Sequence, residues 1–144
     1  MAVTESLNEE QVHDYLEKGF IQCTTIIEIA GAPKEHVELT MKDYVKKIHD
    51  DNNGVVIVKE EYSEVKEDKG LFSTFAELEF VAKDASTIAF FCFDYMPSSI
   101  EIVAPESFTY RAVDFSSFFN DMSGRLHRID RVVKELATRN KNLQ

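Results

Sequence analysis

The stretch His49-Asp-Asp-Asn-Asn-Gly54, with Glu60 beyond it, is the nearest approach to a metal motif in this chain. Read from His49 as a twelve-residue calcium loop, it sets Asp51, Asn53, Gly54 and Glu60 at the third, fifth, sixth and twelfth places. The first place needs a carboxylate and holds His49, and a Val-rich segment follows where a second helix should stand. A turn that ends a helix is therefore the expectation. His13, His36, His49 and His127 fall on separate segments with no HxxxH or HxH spacing, so they nominate no shared metal site. The pairs Ser98-Ser99 and Ser116-Ser117 lie outside any G-x-S-x-G turn, and no glycine-rich phosphate loop is present. Asp94 and Tyr95, at the end of an apolar segment, are the most site-like polar pair, and a hydrogen-bonded helix end accounts for them. The sequence thus nominates no catalytic residue, no cofactor and no metal ligand, and the chain reads as a non-enzyme.

Cys23 and Cys92 are isolated in apolar segments without CxxC spacing. They read as small core residues of a protein from a reducing compartment. The N-terminus lacks the basic and apolar regions of a signal peptide, and no apolar run approaches the length of a membrane span. A soluble, cytoplasmic protein is expected. Its 144 residues, 44% of them hydrophobic and eleven of them Phe, suit one domain with a proper core. The net charge of −10 disfavours nonspecific binding to nucleic acid or anionic membrane.

Whatever the protein does must therefore rest on its architecture. Ser6 and Glu9 have capping-box spacing, and Val12, Tyr15 and Leu16 follow as a short apolar stripe ending at Gly19. Residues 20–30 alternate Ile21, Cys23, Thr25, Ile27 and Ile29 with polar neighbours, a strand with one buried face. Val37, Met41, Tyr44, Val45 and Ile48 recur at helical spacing after Pro33. Strands follow at 55–65 and 71–82, joined as a hairpin by the short polar link 66–70. Asp84 caps a helix over 85–95 that is apolar almost all round and should be buried on more than one side. Pro97 stops it, and a strand over 99–104 comes next.

That order predicts an α+β fold: a ferredoxin-like βαββαβ core with a four-stranded antiparallel sheet and two helices on one face. The N-terminal helix occupies residues 1–19, the core 20–112 and a long C-terminal helix 113–144, all within one domain. The second face of the sheet is expected to be apolar and in need of a cover.

The long helix carries the clearest pattern. Phe115, Phe119, Met122, Leu126, Ile129, Val133, Leu136, Asn140 and Leu143 recur in alternating steps of four and three, which is a sustained heptad. Phe119, Leu126, Val133 and Asn140 occupy a positions, and the others d positions. Val at a, Leu at d and one Asn at a suit a parallel pair of helices whose register the amide sets. Arg125 at g and Asp130 at the next e can pair between strands. Gly124 argues against the helix by about 1 kcal/mol. From Asp114 onward the charge is +2, leaving −12 on the preceding part. Arg128, Arg131 and Lys134 lie on the outer side, a solvated face or a docking face for an acidic protein or nucleic-acid partner.

Three segments are familiar together: Glu28-Ile-Ala-Gly-Ala-Pro-Lys-Glu-His-Val37, Leu71-Phe-Ser-Thr-Phe-Ala-Glu-Leu-Glu79 and Phe93-Asp-Tyr-Met-Pro-Ser-Ser-Ile-Glu101. They resemble a family of small archaeal proteins of unknown function. The resemblance implies a cytoplasmic archaeal setting and supplies no catalytic residues. The leading expectation is an assembly module that self-associates, most simply as a dimer, through its sheet face and C-terminal helix. A metabolite sensor with its ligand at a subunit interface, and a nucleic-acid or ribosome-associated factor using the basic helix face, are the alternatives.

Overall fold

The computed structural model describes residues 2–51 and 53–143. Among them the elements run β1 (Ala2–Glu5), α1 (Glu9–Glu17), β2 (Ile21–Gly31), α2 (Lys34–Asp51), β3 (Val55–Tyr62), β4 (Lys66–Asp68), β5 (Leu71–Ala82), α3 (Ala85–Tyr95), β6 (Ser99–Ala104) and α4 (Ala112–Leu143). The chain divides into two compact units, Met1–Ser107 and Phe108–Gln144.

The first unit is built on one antiparallel sheet of six strands, ordered β1-β3-β5-β2-β6 with β4 beside β5. The expected four strands are thus corrected to six. β1 adds an edge by pairing Ala2 to Glu5 with Tyr62 to Lys59. β4 forms inside the link that was expected to be only a connection. Asp68 pairs with Leu71, so Lys69 and Gly70 alone turn the chain, with φ of 53° and 82°. Two successive positive φ values are what a tight hairpin matched to strand twist requires.

The register of β2 on β5 fixes what lies inside. Cys23 faces Phe80, Thr25 faces Leu78 and Ile27 faces Ala76, and all six are buried. Met41, Val45 and Ile48 of α2 and Ile88, Phe91 and Tyr95 of α3 join them in the main core. Phe80 and Phe91 stack with ring centroids 4.8 Å apart. The buried Thr25 hydroxyl donates to the Ser99 carbonyl at 2.7 Å, so its polar atom costs little. α3 starts where Asp84 Oδ1 accepts from the Thr87 N–H at 2.8 Å and ends at Met96, in the left-handed region with φ 43°. It was expected to be buried on more than one side: Ile88, Phe91 and Tyr95 are buried, Ala89, Phe90 and Cys92 are half-buried, and Phe93 is exposed.

The capping box of α1 belongs to Asn8 and Gln11, not Ser6 and Glu9. Asn8 Oδ1 accepts from the Gln11 N–H at 2.8 Å, and Gln11 Oε1 accepts from the Asn8 N–H at 2.9 Å. Ser6 lies between β1 and α1, its N–H donating to the Val58 carbonyl. α1 then packs Val12 with Val58 and Val81 on the second face of the sheet. Beyond that cluster this face is acidic where an apolar one was expected. Glu77 faces Ile26, Glu28 faces Phe75 and Glu101 faces Thr24, and the three carboxylate residues are exposed. Alternation sends every second side chain of β2, β5 and β6 outward, and here Glu28, Glu77, Glu79 and Glu101 share those positions with Thr24, Ile26 and Phe75.

The second unit is dominated by α4, 32 residues long. Among the described residues, no helix is long and apolar enough to cross a membrane.

Candidate interaction surface

Residues 112–143 contain no Pro, and their single Gly does not interrupt the helix. Asp114 in the first turn and Lys141 in the last complement the helix dipole. The Arg111 carbonyl accepts from the Asp114 and Phe115 N–H groups at 3.0 and 3.1 Å, closing the first turn. A β-carbon added at Gly124 would meet only Arg128 Nη1 at 3.9 Å, an ordinary contact. Gly124 sits at an outer f position, so Gly124→Ala should stabilise the helix by about 0.5–1 kcal/mol without touching the seam. Circular dichroism melting checks this, and an unchanged or lower midpoint would contradict it.

The heptad places Phe115, Phe119, Met122, Leu126, Ile129, Val133, Leu136 and Asn140 along one stripe of α4, and none is buried. Met122 is half-buried, whereas the exposure of the other apolar members up to Leu136 runs from 40% at Phe115 to 57% at Val133. Leu143 is 85% exposed. Two further residues widen the stripe on its g side, Phe118 and the exposed Val132. At its N-terminal end the stripe merges with an aromatic cluster. The Tyr110 ring contacts Phe108 at 5.4 Å and Phe115 at 4.9 Å, and Phe115 stacks on Phe119 at 5.6 Å. A strict a/d reading omits Phe118 and Val132, and Phe108 and Tyr110 lie in a segment without periodicity.

The basic residues take the opposite side. Arg128 and Arg131 are exposed, and Lys134 Nζ pairs with Asp130 Oδ2 at 2.9 Å one turn away. Both partners of that pair are well exposed, so it contributes only tenths of a kcal/mol.

His49, Asp51, Glu60 and Tyr95 lie in the other unit, where hydrogen bonds engage each of them, whereas His127, Ser116 and Ser117 lie on α4. α2 continues through Asp50 and Asp51, which removes them from any loop. His49 Nε2 lies 3.0 Å from Glu60 Oε2, and the Tyr62 hydroxyl donates to Glu60 Oε1 at 2.7 Å. The Tyr95 hydroxyl donates to Asp51, and its carbonyl accepts from the Tyr44 hydroxyl at 2.7 Å. Burial, together with the hydrogen bonds and charges of Glu60 and Asp51, raises the Tyr62 and Tyr95 hydroxyls above the ordinary value of 10.0. Burial likewise raises Tyr44. Such phenols resist losing a proton, the reverse of what a base or nucleophile needs.

The same shifts make a stability prediction. Above about pH 10 the unfolded chain releases tyrosine protons that the folded chain retains. Stability is therefore present in full below that value and falls as pH rises past it. Urea midpoints at pH 8 and 11 should show the fall, and Tyr62→Phe and Tyr95→Phe should each reduce it. Equal midpoints at the two pH values in the unaltered protein would refute the assignment.

A groove of about 560 Å³ opens between α1 and the sheet, lined by Val12, Leu16 and Val58 with Glu5, Lys59 and Glu79 among its polar groups. Gln22 donates a hydrogen bond to Glu79 there. Burial, and Cys92 nearby, push the Cys23 thiol up to about 11, which keeps it protonated and inert. Among the described residues no group of three or more His, Cys, Asp or Glu is placed to hold a metal. The exposed apolar stripe is thus the strongest candidate surface.

No curated protein and no solved structure matches the chain. The model of the MJ0538 family matches residues 22–143, from the second residue of β2 to the last of α4, leaving β1 and α1 outside.

Proposed function

The chain belongs to the MJ0538 family, and we propose that it is a non-enzymatic assembly module that self-associates through α4. One observation carries this: a heptad stripe on a 32-residue helix with no buried side chain. Completing the burial of each half-exposed Leu, Ile, Val or Phe contributes on the order of 1 kcal/mol, and the stripe offers many such side chains to one partner. The sheet face is the weaker half of the reading, because Glu28, Glu77 and Glu101 make it acidic. Among the four long strands, the order β6-β2-β5-β3 with α2 and α3 as connections supports a ferredoxin-like core to which β1 and β4 are added. Two free cysteines suit a reducing, cytoplasmic setting. Light scattering of the full chain at micromolar concentration tests self-association. A dimer is expected, and a monomer at every concentration would overturn the reading.

A further inference from the structure

We propose that the α4 stripe is occupied by α4 of a second copy, parallel and in register, as a two-stranded coil. The inference rests on self-association through α4 and adds its orientation. In a parallel in-register pair, a faces a, d faces d, and each g faces the e position five residues on. Asn140 then meets Asn140 of the partner subunit, where each amide can donate and accept. Arg125 meets the partner's Asp130, and the converse pair forms by symmetry. Val132 meets the partner's Ala137, and Phe118, the other residue of the g flank, meets the partner's Ser123. Every exposed member of the stripe finds an apolar or hydrogen-bonding counterpart.

Antiparallel pairs do worse for stated reasons. There a faces d, g faces g and e faces e. The greatest overlap seats Leu126 against the partner's Ile129. Asn140 then faces the partner's Phe115, which offers its amide no hydrogen bond, and Arg125 faces the partner's Val132. Asp130 faces the partner's Ser123, so no charge is answered by its opposite. Sliding one heptad, to set Leu126 against the partner's Leu136, brings Arg125 onto the partner's Arg139 and Asp130 onto the partner's Asp130. Sliding the other way, to the partner's Met122, brings Arg125 onto the partner's Arg125. In every antiparallel register Asn140 faces a d residue, and all five d residues of α4 are apolar. A parallel pair shifted by one heptad sets Asn140 against the partner's Val133. Only the parallel in-register arrangement both pairs the amide with its own kind and sets opposite charges across the seam.

Disulfide trapping in the full chain tests this. Leu136→Cys and Leu143→Cys are made separately, mildly oxidised and digested, and the linked peptides are weighed, which separates new links from any involving Cys92. Most of each variant should form a link between identical positions, because d faces d only in a parallel pair. Light scattering should report two chains before oxidation. Asn140→Leu should raise the melting midpoint and broaden the range of masses, since it removes the group that fixes register. A dimer that forms no link between identical positions in either variant overturns the orientation and leaves self-association standing. A monomer overturns both, and a trimer or tetramer overturns the two-stranded coil.

Discussion

Phe80→Ala is expected to cost about 3–5 kcal/mol of folding stability, the range for removing a large buried aromatic ring. Phe80 is fully buried on β5, between Ile57 of β3 and Cys23 of β2. Its ring stacks on Phe91, which in turn contacts Tyr95 at 5.0 Å. Truncation therefore opens a void between the sheet and α3, deep within the main core. A strand bonded on both sides cannot shift to close such a void, so little of the loss is recovered. Tyrosine fluorescence during urea unfolding reports it, because Tyr95 and Tyr44 line the same core and the chain has no Trp. A loss under about 1.5 kcal/mol would mean that this site collapses more freely than close packing allows.

The elements around Phe80 were legible in the sequence because burial imposes a period. Strict alternation marked β2 and β5, and Asp84 and Pro97 bracketed α3. β1 was not legible. Ala2 to Glu5 are all exposed, and what holds them is backbone pairing along β3, which leaves no trace in side-chain type. β4 hid for a related reason: Lys66, Glu67 and Asp68 look like a polar link, yet the left-handed pair Lys69 and Gly70 folds them back onto β5. Asn8 and Gln11, which cap α1, have the same spacing as the expected Ser6 and Glu9. Ser6 lost because β3 uses its N–H, a tertiary fact that local pattern cannot contain. The acidic second face of the sheet shows the same limit, since which residues oppose one another depends on register between distant strands. The stripe on α4 was legible residue by residue, because a heptad is a local regularity. Its aromatic extension was not: Tyr110 reaches Phe115 only through the turn at Arg111.

Ile129→Glu is expected to raise the dissociation constant of the self-associated protein by at least about thirtyfold. Ile129 lies at d near the middle of the stripe and is 46% exposed in the single chain, so a partner must cover the rest. Each copy loses roughly 1 kcal/mol of apolar burial. The two copies together therefore lose about 2 kcal/mol, and each 1.4 kcal/mol is tenfold in affinity. Facing carboxylates in the seam add a further penalty in the same direction. The first unit should be untouched, so the tyrosine-reported unfolding midpoint measured on monomers should not move. Arg131→Glu is the matched control: it places the same carboxylate at the exposed f position, half a turn from Ile129. If the coil holds the chains together, sedimentation gives monomers for Ile129→Glu and dimers for Arg131→Glu at equal concentration. The reverse pattern would mean that the basic face of Arg128, Arg131 and Lys134 makes the contact, against an acidic surface such as the one that Glu28, Glu77 and Glu101 present. Dissociation of both variants would leave no distinction between stripe and outer face, and the heptad account of α4 would fail.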